Sequence, residues 1–556
     1  MDTKKQFINP YTMDLQPFID QITSLNNKVV KNTNLEIARM NSNFTGKYAE
    51  ILEREKLPIK GMNTEDVYTD LARYSQGLIR WAHPGALINI NPPTSIPAAV
   101  ASSYFSLYNP NGAQDMSCGY LLTTELAVVK MISELAGIDY TKSGGVFTFG
   151  GKSTNLHGVK HGLQRISRGY INEGITDKVV VFSSKQGHPC HSEVCGWLGI
   201  GEENCIRIST DKMGRIKVDE LRKAIESALE SRKKVATIIL NGGTTIQMTI
   251  DPIKEVVEMR DEIVEKYSLD YTPRVHVDSV SGWVWLFFKD YDYKLNPLRI
   301  DVSALKKIQD QYNRIKDINR ADSFGVDFHK TGFTSYISSL YMTKDANELY
   351  HQSGGFNGIP YDELEYGNYS PFQYTLELSR SVGAPLSAYV NLKVFGVEGY
   401  QKMIADLMNS AEYFKDKLDE TGRFEAINKE DSNGFVTLLV ASEAGNKISF
   451  FDLGSLDIEK IRKFSEYNYK FYLYLLEKQK TDECWFVIDY SSGYQRLSNG
   501  MKIGVLKVYP MSPYFDKESA NKLTIDMLTF LKEFDKIKDT FEPKEVPHKP
   551  RMFVFK

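Results

Sequence analysis

The sequence predicts an α/β protein, with a large domain built on a mostly parallel central sheet and a smaller C-terminal α+β domain. Between about residues 106 and 395, short apolar runs of strand length alternate with amphipathic helical stretches. This alternation is typical of parallel strands joined by crossover helices. After about residue 396, amphipathic helical stretches are followed by strand-like runs such as "FVTLLVA" and "KIGVLKVYP". A chain of 556 residues, 42% of them hydrophobic, is long enough for two or three domains with large cores.

The large domain has clear candidate elements. The strand candidates are "KVVVFS" (178–183), "VATIILN" (235–241) and "RVHVDSV" (274–280), and the helix candidates are 156–165, 218–231 and 253–267. In an α/β sheet, ligands bind beyond the carboxyl ends of the strands. The polar residues that follow the apolar runs are therefore the ones that predict a site.

Three segments are predicted along the chain. Residues 1–105 form an N-terminal arm with amphipathic stretches at 13–26 and 65–80, residues 106–395 form the large domain, and residues 396–556 form the small C-terminal domain. Such an arm rarely folds alone. We expect it, including the proline-rich segment 84–100, to lie across the surface of a partner subunit in a homodimer.

Charge and composition exclude several functional classes. Lys and Arg total 68 against 71 for Asp and Glu, so the net charge of -3 gives no electrostatic reason to expect nucleic acid as a partner. The N-terminus lacks the apolar core of a signal peptide, and apolar runs such as "WVWLFF" are too short to span a bilayer. Five cysteines without framework spacing agree with a reducing compartment. The sequence therefore predicts a cytoplasmic protein with no membrane partner.

A cluster of histidine and cysteine raises the question of a metal. His188, Cys190, His191 and Cys195 lie within eight residues of one another. Zinc sites usually combine paired ligands separated by a longer loop, and no second pair stands at a matching distance. We predict no metal, and interpret the cluster as buried thiols with one functional histidine.

The glycine-rich stretch "GGVFTFGGKSTN" (144–155) resembles a nucleotide-binding P-loop but fails its spacing. Four residues must separate the first glycine from the Gly-Lys-Ser triplet, and that position is Val146, with Gly145 one residue too far away. A glycine pair that opens a helix can still surround a phosphate with backbone N–H groups. The loop therefore predicts a phosphate site other than that of a P-loop NTPase.

The residues that follow the other strands indicate which phosphate compound binds. They are His188, Thr244-Thr245, Asp278 and Lys330. A lysine that forms a Schiff base, a carboxylate facing a pyridine nitrogen and a phosphate loop are the contributions that proteins make to pyridoxal phosphate chemistry. The carboxylate keeps the ring nitrogen protonated, so that the ring accepts electrons from a breaking bond. The set therefore predicts pyridoxal 5'-phosphate as the cofactor.

Four motifs resemble those of the group II pyridoxal-phosphate-dependent amino acid decarboxylases. "TFGGKSTNL", "NGGTTIQMTIDPI", "HVDSVSGW" and "ADSFGVDFHKTGFTSY" are similar to the family's TSGGTEANL, GTTxxGxxDPI, HVDAAxGG and ADSxxxDPHK, and the resemblance runs from about Trp81 to Tyr514. "DFHKTGFTSYISS" and "VYPMSPYFDKE" look most like the bacterial tyrosine decarboxylases. The resemblance implies the fold of the fold type I, aspartate aminotransferase-like enzymes, a homodimer whose active site is assembled across the interface, and α-decarboxylation of an L-amino acid.

The resemblance also implies a role for each matching residue. Lys330 would be the Schiff-base lysine, Asp278 the partner of the pyridine nitrogen, and Tyr336 the residue that returns a proton to the substrate carbon. His188 stands eleven residues before Gly199, as the family's ring-stacking histidine does before its LG pair, and is preferred to His191 for that reason. The phosphate and the ring hydroxyl would be held by Gly151, Lys152, Ser153, His329 and Thr245.

Departures from the pattern leave the substrate open. Lys152 and Ser153 replace the usual Thr and Glu of the phosphate loop, Val280 replaces an alanine beside the ring, and Tyr509 stands where the tyrosine enzymes carry a small residue. An aromatic amino acid is the leading hypothesis. The alternatives are an aliphatic amino acid such as valine or leucine, favoured by crowding from Phe147, Phe149 and Tyr509, and an acidic one, for which the candidate cations are Lys152 and Arg380. An aldehyde-forming oxidative decarboxylase-deaminase is the alternative reaction, and a catalytically inactive homodimer serving as a binding partner is the alternative class.

Overall fold

The structure is a computed structural model that describes residues 3–31, 33–40, 48–167, 169–350, 359–430, 434–497 and 501–543. Contacts divide the chain into two compact units. One contains Met1–Asn89, Tyr413–Ile427 and Thr437–Lys556, and the other contains Ile90–Glu412 and Asn428–Val436. The division at residues 105 and 395 stays a prediction, and its first and last segments include residues outside the described ranges.

The helices and strands alternate through most of the chain. The helices are α1 Gln16–Val30, α2 Tyr48–Leu52, α3 Thr64–Arg73, α4 Ile96–Ser106, α5 Asp115–Cys118, α6 Thr123–Ala136, α7 Gly151–Ile166, α8 Tyr170–Glu173, α9 Cys190–Trp197, α10 Val218–Glu230, α11 Ile253–Lys266, α12 Val302–Ile315, α13 Phe328–Thr331, α14 Asn347–Tyr350, α15 Gly383–Glu420 with a kink at Gly396, α16 Ile458–Lys480 and α17 Lys517–Ile537. The strands are β1 Ala86–Leu87, β2 Gly144–Thr148, β3 Val179–Ser184, β4 Cys205–Ile208, β5 Lys234–Asn241, β6 Arg274–Asp278, β7 Ser323–Asp327, β8 Ser339–Thr343, β9 Phe424–Ala426, β10 Thr437–Ala441, β11 Val487–Arg496 and β12 Lys502–Val508.

The larger unit contains a seven-stranded sheet in the order β2-β8-β7-β6-β5-β3-β4. Strands β3 to β7 pair in parallel, and only β8 runs antiparallel to its two neighbours, β7 and β2. β3 and β6 are buried along their whole length, as expected for strands covered by helices on both faces. The predicted mostly parallel central sheet is confirmed.

Helix α7 packs closely on the middle of this sheet. A Cβ atom at Gly162 would lie 2.1 Å from Oγ1 of Thr237 on β5, and one at Gly158 would lie 2.6 Å from the ring of His276 on β6. Only glycine permits such an approach. Because the helix is held at these two points, its N-terminus is fixed at the carboxyl edge of the strands.

The smaller unit contains a five-stranded sheet in the order β1-β11-β12-β10-β9. β9, β10, β12 and β11 pair antiparallel, and the short β1 adds in parallel at one edge. Helices α16 and α17 contribute apolar side chains to its core, which include Phe471, Leu475, Leu523 and Phe534. This mixture of helices and antiparallel strands agrees with the predicted α+β fold.

No helix in the described part of the chain is both long enough and apolar enough to cross a lipid bilayer.

Candidate active site

The site is a cavity of about 170 Å³ at the carboxyl edge of the seven-stranded sheet. Strands β5, β6 and β7 end there at Asn241, Asp278 and Asp327, and the register pairs Asn241 with Asp278. The lining residues are Gly151, Lys152, Asn155, His188, Cys190, Asn241, Gly243, Thr244, Thr245, Asp278, Val280, Asp327, His329 and Lys330. A parallel sheet brings these loops together because its strands all end at one edge.

Seven of the nine predicted site residues line this cavity. They are Gly151, Lys152, His188, Thr245, Asp278, His329 and Lys330. Ser153 lies nearby but is fully buried, and its hydroxyl hydrogen-bonds that of Thr148. Tyr336 is 59% exposed and its hydroxyl donates to Oδ1 of Asn91. The roles assigned to these residues stay predictions, whereas their convergence is a property of the structure.

Asp278 is the buried acid of the cavity. Its Oδ2 atom lies 2.9 Å from Nε2 of His191 and accepts a hydrogen bond of 3.0 Å from the amide of Asn155. Burial alone would raise the pKa of Asp278, but the hydrogen bonds from His191 and Asn155 and the charge of Lys330 hold that pKa well below its ordinary value. Asp278 is therefore ionised at neutral pH.

The second carboxylate oxygen of Asp278 is left for a ligand. Oδ1 is buried and has no hydrogen-bond partner among the described residues, although Asp278 lines the cavity. Because a buried charged oxygen without a partner is costly, the arrangement requires a donor from the cavity side. A protonated ring nitrogen is a donor of that kind.

Lys330 follows β7 on the short helix α13 and faces two carboxylates. Its Nζ atom lies 3.0 Å from Oδ2 of Asp327, and its side chain is 22% exposed. Burial would lower the pKa of Lys330, but the charges of Asp327 and Asp278 raise it above the ordinary value. The amine must lose a proton before it can act as a nucleophile. Asp327 lies at ion-pairing distance from the amine and stabilises its protonated form.

His329 joins the cavity to the loop that carries Tyr336. Its Nδ1 lies 3.2 Å from the backbone nitrogen and 3.1 Å from the carbonyl oxygen of Ser338, and its Nε2 lies 3.5 Å from Oδ2 of Asp327. The rings of His329 and Tyr336 are 4.3 Å apart between centroids. The histidine thus lies between the Lys330 region and the exposed tyrosine.

The glycine loop that resembled a P-loop forms the N-terminus of α7. Gly150 has a φ of 113° and ends the strand-to-helix turn, and the helix begins at Gly151. A Cβ atom at Gly151 would lie 2.8 Å from Oδ2 of Asp327 and 3.1 Å from Cγ1 of Val280, so this position has no room for a side chain. A helix N-terminus approached by bare backbone is suited to a phosphate.

Lys152 has partners at the mouth of the cavity. Its ammonium forms an ion pair with Oε2 of Glu193 and lies 4.9 Å from the centre of the Trp197 ring. Arg380, the other candidate cation, is buried against Glu125 and does not line the Lys330 cavity. The two candidate cations named for an acidic substrate are therefore both engaged by carboxylates of the chain itself.

The two histidines of the cluster are separated by the structure. His188 lines the cavity, and its Nδ1 accepts a hydrogen bond of 3.1 Å from the backbone N–H of Cys190. His191, three residues further along and inside α9, is fully buried and contacts Asp278 instead. The preference for His188 as the ring-facing histidine agrees with this placement and stays a prediction.

Three functional contacts were missed from the sequence, those of His191, Asn155 and Asp327. His191 had been considered only as an alternative to His188, and its carboxylate partner stands 87 residues away along the chain. Asn155 lies one turn into α7 and reaches the same carboxylate. The position of Asp327, three residues before Lys330, was the one available signal, since Asp327 directly precedes the helical turn that carries Lys330.

One group of metal-ligating atoms is present in the described part of the chain. Donor atoms of Cys190, His191 and Asp278 all lie within 4.8 Å of one another. The Nε2 atom of His191 is already hydrogen-bonded to Asp278, so that an ion would have to replace this contact. The absence of a metal stays a prediction.

The arrangement fits pyridoxal phosphate. Three groups converge on one cavity. They are a buried carboxylate with one unpartnered oxygen, a lysine amine paired with a second carboxylate, and a helix N-terminus with no room for a side chain at its first residue. These groups match the ring nitrogen, the aldehyde carbon and the phosphate of that cofactor. A mostly parallel α/β sheet with this site at its carboxyl edge defines the class of the fold type I pyridoxal-phosphate proteins.

The chain belongs to the pyridoxal-dependent decarboxylase family. The conserved domain of that family matches residues 47–439. Its description confirms the cofactor predicted from the residues, and the group II family to which the motifs pointed is confirmed with it.

Known structures superpose on nearly the whole chain, whereas sequence similarity to known proteins extends over only part of it. An aspartate 1-decarboxylase of Aliivibrio fischeri is 25% identical over 46% of this chain and 40% of its own length, and an L-2,4-diaminobutyrate decarboxylase of Acinetobacter baumannii is 23% identical over 58% and 60%. The chain thus spans about half the length of the curated relatives it matches. The crystal structure of mouse CSAD in apo form superposes with a TM-score of 0.74 at 15% identity, covering 93% of this chain and 99% of that one, which shows the shared fold.

Proposed function

We propose that the protein is a decarboxylase that removes the α-carboxyl group of an L-amino acid with the help of pyridoxal phosphate. The observation that supports this most directly is the unpartnered Oδ1 of Asp278 in the cavity that Lys330 also lines. Family membership gives the same reaction class independently of this geometry.

Pyridoxal phosphate, when bound, supplies an electron sink for the bond that breaks at the substrate Cα. The chain supplies the groups around it. Lys330 would provide the amine for covalent attachment, Asp278 would hold the protonated ring nitrogen, and the N-terminus of α7 would receive the phosphate, with Lys152 nearby. Thr245 would lie near the ring hydroxyl and His188 would cover one face of the ring, as the motif similarity implies.

Tyr336 is proposed as the group that returns a proton to Cα. Its hydroxyl is a hydrogen-bond donor and its ring lies 4.3 Å from that of His329, so it can approach a substrate attached near Lys330. The hydroxyl now donates to Asn91, a contact that would have to be exchanged for one with the substrate. Peroxide release with Tyr336 intact would instead indicate the oxidative deaminase.

An aromatic L-amino acid is proposed as the substrate. The motif similarity to the bacterial tyrosine decarboxylases favours it, and so does the engagement of Lys152 by Glu193 and of Arg380 by Glu125. An acidic amino acid is the second candidate because relatives that match this chain are named aspartate 1-decarboxylase and acidic amino acid decarboxylase. Such a substrate would require Lys152 to leave Glu193.

The decisive experiment is a substrate panel on the purified protein loaded with pyridoxal phosphate. Release of CO2 and amine is measured for tyrosine, tryptophan, valine, leucine, aspartate, glutamate and 2,4-diaminobutyrate, with peroxide recorded in the same samples. We expect CO2 and amine in equal amounts from an aromatic member, without peroxide. CO2 from aspartate or glutamate alone would replace the proposed substrate class, and CO2 from no member at saturating cofactor would refute decarboxylation.

We also propose a homodimer, supported by an apolar face of α4. Ile96, Val100 and Tyr104 are spaced four residues apart, which places them on one side of the helix, and Ile96 and Val100 are 79% and 61% exposed. Exposed apolar side chains in a row are typical of surfaces that a partner covers. The same unit exposes further apolar side chains at Met116, Tyr120, Leu378, Val394 and Val397.

Val100→Asp is expected to convert the dimer to a monomer. A carboxylate in an interface that excludes water loses its hydration without gaining a partner. Light scattering with gel filtration should show the mass of two chains for the unmodified protein and of one chain for the variant. Val302→Asp is the matched control, since Val302 is 87% exposed at the start of α12 in the same unit. If the Val100→Asp protein were still a dimer, α4 would not form part of the interface.

A further inference from the structure

His191 and Ser183 form a buried hydrogen-bonded chain behind Asp278, the Ser183–His191–Asp278 relay. Nε2 of His191 lies 2.9 Å from Oδ2 of Asp278, and Nδ1 lies 2.6 Å from the hydroxyl of Ser183. His191 and Ser183 are fully buried. A carboxylate only accepts hydrogen bonds, so the ring proton is on Nε2 and the serine hydroxyl donates to Nδ1.

We infer that His191 is a positioning residue for the cofactor's ring-nitrogen partner. Ser183 fixes the tautomer of His191, and the Nε2–H of His191 holds Oδ2 of Asp278 so that Oδ1 faces the cavity. The inference rests on the proposed function, because it requires pyridoxal phosphate in the cavity lined by Asp278 and Lys330. It extends that function because motif similarity places His188 at the ring and leaves His191 without a role.

The backbone packs closely against His191 and Ser183. A Cβ atom at Gly187 would lie 2.7 Å from Nδ1 of His191 and 2.9 Å from the hydroxyl oxygen of Ser183, so a side chain at that position would collide with the relay. The guanidinium of Arg207 donates to the carbonyl of Gly187 and reaches the Ser183 hydroxyl at 3.4 Å. The loop that packs against the imidazole is therefore fixed as well.

The ionisation of Asp278, at the cavity end of the relay, can be tested by a change of pH. The polar groups that face it are Asn155 of α7, His188 of the loop before α9, Cys190 and His191 of α9, His276 of β6 and Lys330 of α13. Burial alone would raise the pKa of Asp278, and the hydrogen bond from His191 is the largest of the influences that lower it. Without that bond the pKa of Asp278 rises, so its negative charge is lost progressively as the pH falls.

The test measures binding of pyridoxal phosphate to the apoprotein at pH 8 and pH 6, by equilibrium dialysis, for His191→Leu, His191→Gln and Ser183→Ala. Removing a hydrogen bond to a charged group is expected to raise the Kd of His191→Leu about tenfold at pH 8, with a larger rise at pH 6. Glutamine can donate a hydrogen bond from a similar position, so the Kd of His191→Gln should stay within about threefold of that of the unmodified protein. Ser183→Ala should fall between the two.

His161→Gln is the matched control. His161 is a buried histidine of α7 that hydrogen-bonds Tyr341 and does not line the cavity. We expect its Kd to match that of the unmodified protein at both pH values. Thermal unfolding of each apoprotein shows whether a variant is folded. If His191→Leu does not fold, Ser183→Ala, which is the smaller change, still tests the relay.

Two results would overturn the inference. One is an unchanged Kd for His191→Leu at both pH values. The other is a loss of cofactor affinity in His191→Leu that is the same at both pH values and that His191→Gln shows as well. That pattern would mean that His191 contributes by packing alone. No amino acid substrate enters the measurement, so a protein that binds the cofactor but releases no CO2 would refute the proposed function and still test the relay.

Discussion

Lys330→Ala is expected to reduce decarboxylation at least about 1000-fold, because it removes the amine that attaches the cofactor and the group nearest to its reacting carbon. The visible absorbance of the loaded protein should disappear in the same variant. In the unmodified protein, borohydride reduction followed by peptide mapping should place the cofactor on Lys330 and on no other lysine.

The control for this variant is Lys402→Ala. Lys402 is an exposed lysine of α15 that pairs with Asp406 one helical turn away, and it does not line the cavity. Its replacement should leave absorbance and turnover within about twofold, since exposed ion pairs contribute little. A Lys330→Ala protein that keeps its colour and turns over would show that another lysine carries the cofactor, and Lys152 would be examined next.

Much of the large unit could be predicted because its elements are regular. The predicted strand 235–241 corresponds to β5 at Lys234–Asn241, and the helix predicted at 253–267 corresponds to α11 at Ile253–Lys266. Buried parallel strands are continuous apolar runs, and crossover helices carry one apolar face, so both patterns are strong. Helix α7 was predicted from Leu156 and begins at Gly151, since glycines conceal a helix start.

The smaller unit shows where such reasoning fails. Its sheet joins β1, at Ala86–Leu87, to β11, at Val487–Arg496. A two-residue strand carries no periodicity, and its pairing depends on a contact some 400 residues away along the chain. In the larger unit, the apolar run "WVWLFF" forms a 3-10 helix at Trp283–Phe288, and nothing in its composition distinguishes that from a strand.

The site residues that directly follow apolar strand runs could be predicted from the sequence. Asp278 and Lys330 follow apolar runs directly, and parallel topology brings such positions together. His191 could not be assigned in this way. Its importance depends on which side of the first turn of α9 faces β6, and this is a matter of packing between elements that local sequence does not record.

The second large effect is expected for Asp278→Asn, which keeps the shape of the side chain and removes its charge. The decrease in kcat/KM should be about 100- to 1000-fold, comparable to the loss of one preorganised charge-stabilising group in an active site. A neutral amide holds a protonated ring nitrogen poorly, so the ring accepts electrons less readily. Turnover is measured as CO2 release, with Asp406→Asn, an exposed acid of the same unit, as the control.

The two variants are expected to fail in different ways, and the difference tests the roles of the residues separately. Lys330→Ala should lose both absorbance and turnover, whereas Asp278→Asn retains the amine of Lys330 and should keep an absorbance band while turnover falls. The amide oxygen of the variant can take the position of Oδ2 and accept from His191 and Asn155, so the variant apoprotein should stay folded while its NH2 group faces the cavity in place of Oδ1. If Asp278→Asn were fully active, the unpartnered Oδ1 would have to serve another ligand, and the orientation proposed for the cofactor would be wrong.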